Sequence, residues 1–281
     1  MFATLTGPFP AAHDDAGTAA RLADIGLEPV SDGRGARGPG DDAVAAWRDA
    51  AAATTAAVKQ ALLGPFSTSR RDGGDPLAHA EAIGATAASL RAAGCPLVEI
   101  EEPEAAMAAG DPAAAGQLSA ALRRLTDQVT GIHLSLVLTG GNVDRLGAAT
   151  FFDLPFASYA FDLIAGPDNW RLIAEAPRER GIVCGALDPS PSTRDGPETL
   201  VWAAHYAAST RGRGLARVGL ANASSIAGLT PDRAERKVKA LVEAARLAAL
   251  KDPEELAASL DPKAVDSRSA ALGKFTPKRR R

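Results

Sequence analysis

The sequence predicts an α/β fold, a parallel (β/α)8 TIM barrel, and three observations carry that reading. Eight short apolar or β-rich runs each end in or near Gly, Pro, Asp or Ser. Ala/Leu-rich helical stretches separate most of them, at roughly the 30-residue spacing of βα units. No GxGxxG and no GxxxxGKS/T follows any run, so the phosphate loop expected of a doubly wound open sheet is missing. A length of 281 residues suits this, since such barrels fill about 250 residues as one domain.

The runs, in order, are 2–10, 27–33, 58–65, 96–103, 131–141, 156–164, 181–189 and 215–225. The third and sixth are the weakest strands: Gln60 and Ala61 tolerate a helix, and Ala157 and Ala160 are poor strand formers. Between the runs, 77–93 places Leu77, Ile83 and Leu90 on one side. The stretch 112–129 carries Leu118, Leu122, Leu125 and Val129 at helical spacing. A helix over 232–249 follows Thr230 as N-cap and Pro231 as first helical residue, with Val238, Leu241, Val242, Ala245 and Leu247 as its apolar face. Residues 1–250 are expected to form one barrel, and 251–281, ending KFTPKRRR, a short helical or disordered extension.

Composition narrows the function. A formal charge of -3 lacks the basic excess of a nucleic-acid-binding protein. Eight Phe, three Trp and two Tyr leave few platforms for stacking bases. No run reaches the roughly 18 apolar residues of a membrane span, and MFATLTGPFP lacks the basic and apolar regions of a secretory signal. Cys95 and Cys184 are too few for a disulfide framework or a four-cysteine zinc site. A cytoplasmic protein acting on a small molecule is expected, without nucleic-acid or membrane partners; the oligomeric state is left open.

Barrel enzymes draw their catalytic groups from the C-terminal ends of strands. The runs here offer Asp32 after the second, Glu99, Glu101 and Glu102 on the fourth, His133 and Ser135 on the fifth, Asp162 on the sixth, Asp188 and Ser190 after the seventh, and Asn222, Ser224 and Ser225 after the eighth. Alternation puts Glu99 and Glu101 on one face and Glu102 on the other. Carboxylates facing a barrel interior are costly unless paired or used. A surface reading pairs some of them with arginines such as Arg70 or Arg71. His133 and Asp162, on neighbouring strands, are expected to form an acid–base couple or to hold a metal weakly. The loops 31–42 and 68–76 are expected on the catalytic face, where Arg34 and Arg37 would favour an anion.

Several segments, in order, resemble one family. TLTGPFP resembles a GSFPR-type opening strand, GLEPVSDGRGAR a GLD-x-x-x-DGE-x-R segment, and VKQALLGPFS a K-x-x-L-TGP-x-T segment. PLVEIEEPE is similar to an I-Q-I-DEPAL strand, HLS at 133–135 to HxC, GALDPSP to G-V-x-D-x-HSP, and NASSIAGL to PDCGL. Together they resemble the catalytic C-terminal barrel of cobalamin-independent methionine synthase, within the uroporphyrinogen-decarboxylase-like superfamily. The likeness spans most of residues 3–250. It implies a methyltransferase of one-carbon metabolism that uses a folate-type methyl donor. With the polar strand ends gathered at one mouth, catalytic roles are expected for Glu101, His133, Asp162 and Asp188, and substrate binding by Asp32, Arg34, Glu102, Ser190 and Asn222.

The departures are specific. The family binds zinc through His, Cys, Glu and a second Cys; the matching positions here are His133, Ser135, Asp162 and Ala223 or Ser224. A hydroxyl does not replace a thiolate as a soft zinc ligand, so a degenerate site without tightly bound zinc is expected. Arg34 stands where the family's glutamate holds an ammonium. Three functions follow: a zinc-free methyl transfer to a small acceptor, a superfamily lyase or decarboxylase acting on an anionic molecule, or a non-catalytic paralogue that binds a small molecule.

Overall fold

The computed structural model describes residues 1–10, 15–38, 41–193 and 196–261. Seven strands form one parallel sheet: β1 (Phe2–Ala3), β2 (Lys59–Leu63), β3 (Leu97–Glu101), β4 (His133–Leu138), β5 (Ser158–Asp162), β6 (Gly181–Leu187) and β7 (Val218–Asn222). Their spatial order is β1-β7-β6-β5-β4-β3-β2. The helices are α1 (Asp15–Ile25), α2 (Ala43–Ala52), α3 (Pro65–Asp72), α4 (Pro76–Ala93), α5 (Pro112–Thr126), α6 (Ala149–Phe152), α7 (Trp170–Glu175), α8 (Pro197–Ser209), α9 (Pro231–Ala248) and α10 (Pro253–Ala258).

Seven of the eight expected runs become strands, including the third and sixth, and Ala160 of the sixth packs inside the sheet's curve. The second run does not. Pro29 has no N–H to donate, so residues 28–30 cannot sustain a ladder. They make single contacts to both sheet edges instead. The Glu28 N–H donates to Ala3 O at 3.0 Å, the Val30 N–H to Ala57 O at 2.9 Å, and the Lys59 N–H to Val30 O at 2.8 Å. The expected eight-stranded barrel is thus a seven-stranded parallel sheet among the described residues, with this segment touching both edges.

Strand alternation divides the core into two layers. Val137, Ala160, Val183 and Ala221 meet inside the sheet's curve, with Phe2 against them. Leu62, Ile100, Leu136, Phe161, Cys184 and Leu220 face outward into the larger core beneath the helices. Side-chain caps start α4 and α5, whereas the expected cap Thr230 of α9 makes no side-chain hydrogen bond to its helix. Asp75 accepts from the Leu77 N–H before Pro76, and Asp111 accepts from Ala113 and Ala114 before Pro112. In α9, Pro231 takes the first position behind Thr230, and Val238, Leu241 and Leu247 are buried. The 68–76 loop is corrected in part: its first residues form the end of α3. The tail beyond residue 261 lies outside the described residues.

Both cysteines are free and buried, with burial pushing the Cys95 thiol up to about 11 and the Cys184 thiol up to about 12. Among the described residues, no helix is long and apolar enough to cross a membrane.

Candidate functional site

A pocket of about 470 Å³ opens at the C-terminal ends of the strands. Thr6 and Gly7 reach it after β1, Glu101 ends β3, Thr139 and Gly140 follow β4, and Ser224 follows β7. Arg34, from the loop after residue 30, and Arg71, on α3, border it. Gly7 is required here: its φ is +69°, and a Cβ would meet Ser225 Cα at 3.3 Å.

Glu101 is the titratable centre of this pocket. Its Oε1 accepts from the Gly7 N–H at 3.3 Å. Burial pushes its pKa up to about 7, and the Glu99 carboxylate below it on the same strand face adds to the rise. Lys59 and Arg71 pull the other way. Arg71 also donates through Nε to Glu104 at 2.8 Å.

The other expected site residues at this end hold backbone in place. Asp32 accepts from the Arg34 N–H at 2.9 Å and pairs with the Arg37 guanidinium, so Arg37 serves the loop and not an incoming anion. Asp162 is 1% exposed; Oδ1 takes the N–H groups of Ile164 and Ala165 at 2.9 and 2.8 Å, and Oδ2 takes that of Gly140 at 3.2 Å. Asn222 accepts from the Thr6 N–H at 2.9 Å and donates to the Ser224 carbonyl at 2.7 Å, fastening the end of β1 to the end of β7. Asp188 accepts from the Ser190 N–H at 2.8 Å and the Thr193 hydroxyl at 2.7 Å. Its carbonyl takes Lys237 Nζ at 2.8 Å. Ser190 shares a 2.9 Å contact with Ser192.

Three expectations are corrected. Glu102 points away from the pocket, as alternation from Glu101 requires, and accepts from the N–H groups of Phe66 and Ser67 at 3.0 and 2.7 Å, closing the first turn of α3. A Cβ on Gly64 would lie 2.3 Å from its carboxyl carbon, so only glycine lets the carboxylate reach that turn. Burial pushes the Glu102 pKa up to about 7 against the pull of these donors. Second, His133 is the first residue of β4, at the N-terminal end of the sheet, where Nε2 contacts Ser158 Oγ at 2.8 Å. Asp162 aligns with the residue after Leu138, six positions further along β4 and roughly 20 Å away, so the expected couple does not form. Third, Ser135 lies at that same N-terminal end, where Oγ is buried without a partner.

These positions separate the four residues that the resemblance places at a zinc site. His133 and Ser135 stand at one end of the strands, Asp162 and Ser224 at the other. Among the described residues, no three His, Cys, Asp or Glu side chains converge. The residues therefore do not fit a zinc ion in the arrangement the resemblance implies, because HLS falls at the wrong end of its strand.

Sequence reasoning missed Lys59, whose ammonium enters the sheet interior and donates to Glu99 at 2.7 Å and to Leu5 O at 2.6 Å. The signal was a lysine at an inward position of an otherwise uncharged strand, KQALL. It also missed Arg71 as a pocket residue; its surface partner is Glu104, not a carboxylate of β3.

No protein-family model matches the sequence, and no curated protein matches it. Solved structures do match. A B12-independent methionine synthase from Shewanella sp. W3-18-1, in complex with selenomethionine, superposes with a TM-score of 0.70 at 14% identity, over 91% of this chain and 98% of that one. A Listeria monocytogenes protein assigned as a vitamin-B12-independent methionine synthase gives 0.69 at 12% identity, over 88% and 97%. Dihydrodipicolinate synthase from Cyanidioschyzon merolae with lysine bound gives 0.53 at 12% identity, over 97% and 88%. At these identities the likeness is one of fold: the chain has the α/β architecture of barrel proteins like the methionine synthases.

Proposed function

We propose that the chain is a barrel enzyme that moves a proton on a small anionic molecule at the C-terminal mouth, in the manner of a lyase or decarboxylase. Glu101 is its acid–base group, and Arg34 and Arg71 flank the anion. One observation carries this reading: Glu101, with a pKa of about 7, opens into a 470 Å³ pocket bordered by two guanidinium groups. A carboxyl poised near neutrality gives and takes a proton with equal ease. The Gly7 N–H orients it, and guanidinium groups suit carboxylate or phosphate. Asp32, Asp162 and Asn222 act as positioning residues that hold the loops around it. The proposal takes residues 1–250 as one barrel and 251–281 as an extension, in a cytoplasmic protein.

A second reading is methyl transfer from a folate-type donor to a small acceptor without zinc. The two methionine-synthase structures, at TM-scores of 0.70 and 0.69, favour it. In that reading Glu101 would take the acceptor's proton as the methyl group passes to the acceptor, and a proton would return to the donor nitrogen whose bond to the methyl carbon breaks.

The readings separate in solution. Incubation in D2O with a panel of 2-oxo and 3-oxo acids, followed by proton NMR, should show C–H exchange or loss of CO2. Glu101→Gln should abolish it in a folded protein. Exchange that survives Glu101→Gln sinks the first reading. Transfer from a methyl-labelled folate to an acceptor, without exchange, selects the second.

A further inference from the structure

A second pocket, of about 410 Å³, opens at the N-terminal ends of the strands, opposite the candidate site. It runs inward to Glu99, Ser135 and Val183. In a packed barrel this depth is filled by bulky branched side chains. Here inward positions carry Ser135, Ser158 and Gly181, so the interior stays open at this end. The volume falls within the ~300–1,000 Å³ of small-molecule pockets.

Most of the lining is apolar, from residues such as Phe2, Leu97, Ile182 and Val183, and its few polar groups are incompletely used. Ser135 is 1% exposed, and its Oγ has no hydrogen-bond partner among the described residues. An unpaired buried hydroxyl is costly, and a ligand group would relieve it. His133 lines the mouth, where desolvation lowers its imidazole pKa below 6.5. The neutral ring offers one donor and one acceptor, and Ser158 Oγ engages Nε2. Glu99 shares one carboxylate oxygen with Lys59, so the buried charge sums to zero.

We propose that this N-terminal pocket binds a small, uncharged, polyhydroxylated molecule, with Glu99 and Ser135 at its floor and His133 and Ser158 on its wall. Hydroxyl groups both donate to a carboxylate and accept from serine and imidazole donors. An anion at the floor would face Glu99, whose Lys59 partner is already shared with Leu5 O. A cation would compete with Lys59 for the same carboxylate. An apolar ligand would leave Ser135 unsatisfied. The proposal does not depend on the chemistry assigned to the other mouth.

The test is an NMR titration of the imidazole resonances of the intact chain with glycerol, erythritol, ribose and glucose. The His133 signal is assigned by its loss in His133→Gln. At least one polyol should shift His133 saturably in the millimolar range while the other three histidines stay in place. Ser135→Ala/Ser158→Ala should weaken that binding at least tenfold. Ser135→Thr, which adds a methyl at the floor, should do the same if the double variant fails to fold. No saturable shift with any of the four polyols means a water-filled cavity and overturns the proposal. So does a shift common to all four histidines, or one of unchanged affinity in the serine variants.

Discussion

Lys59 and Glu99 form an ion pair inside the sheet, with Nζ 2.7 Å from Oε1 and both side chains at most 5% exposed. The pair joins the start of β2 to the middle of β3, and the Leu5 carbonyl supplies the ammonium with a second contact. Two buried charges repay their desolvation only through such geometry.

Breaking the pair from one side should therefore be costly. Lys59→Met leaves Glu99 uncompensated and is expected to lower stability by about 3–5 kcal/mol in urea denaturation. Lys59→Met/Glu99→Leu should recover most of that loss. A double variant as unstable as the single would show that the pair's charge is not what matters.

Glu101 makes stability depend on pH. Its pKa is about 7 in the folded chain against an ordinary 4.5, so the folded state holds the proton more tightly than the unfolded state. That stabilisation is full below about pH 4.5 and is lost as pH rises through about 7. Unfolding free energy should fall across this window. Glu101→Gln should flatten the fall, leaving the part that Glu102 contributes in the same direction. An unchanged slope in Glu101→Gln would contradict the assignment.

Glu102 is expected to act on the start of α3 and not on a ligand. Glu102→Ala strands the Phe66 and Ser67 N–H groups, at about 1–3 kcal/mol for each stranded donor. Hydrogen exchange at these two amides should accelerate, while ligand affinity at the Glu101 pocket stays within a few-fold of the parent. Loss of affinity with unchanged exchange would reverse this.

His133 and Asp162 should be energetically independent. They lie at opposite ends of neighbouring strands, and sites that far apart add within roughly 0.5 kcal/mol. A double-mutant cycle of His133→Ala and Asp162→Asn, read by denaturation, should show no coupling beyond that. A larger coupling would put the two in one network.

Local preferences along the chain set the order of the helices and the faces of the strands. Capping residues and Pro at first positions set the starts of α4 and α5, because those preferences are local. Two-residue periodicity separated Glu99 and Glu101 from Glu102, since successive side chains leave a strand on opposite sides. Depth along a strand was decided only by the tertiary structure. The register of β4 against β3 and β5 carried His133 and Ser135 to the N-terminal end and left Thr139 and Gly140 at the pocket. Partner choice was likewise tertiary. Whether Asp162 meets a ligand or three backbone N–H groups depends on how the loops after β4 and β5 pack, and no local pattern encodes that. The same holds for Glu101: its raised pKa comes from burial and from Glu99, against the pull of Lys59, groups whose distances exist only once the sheet has curved.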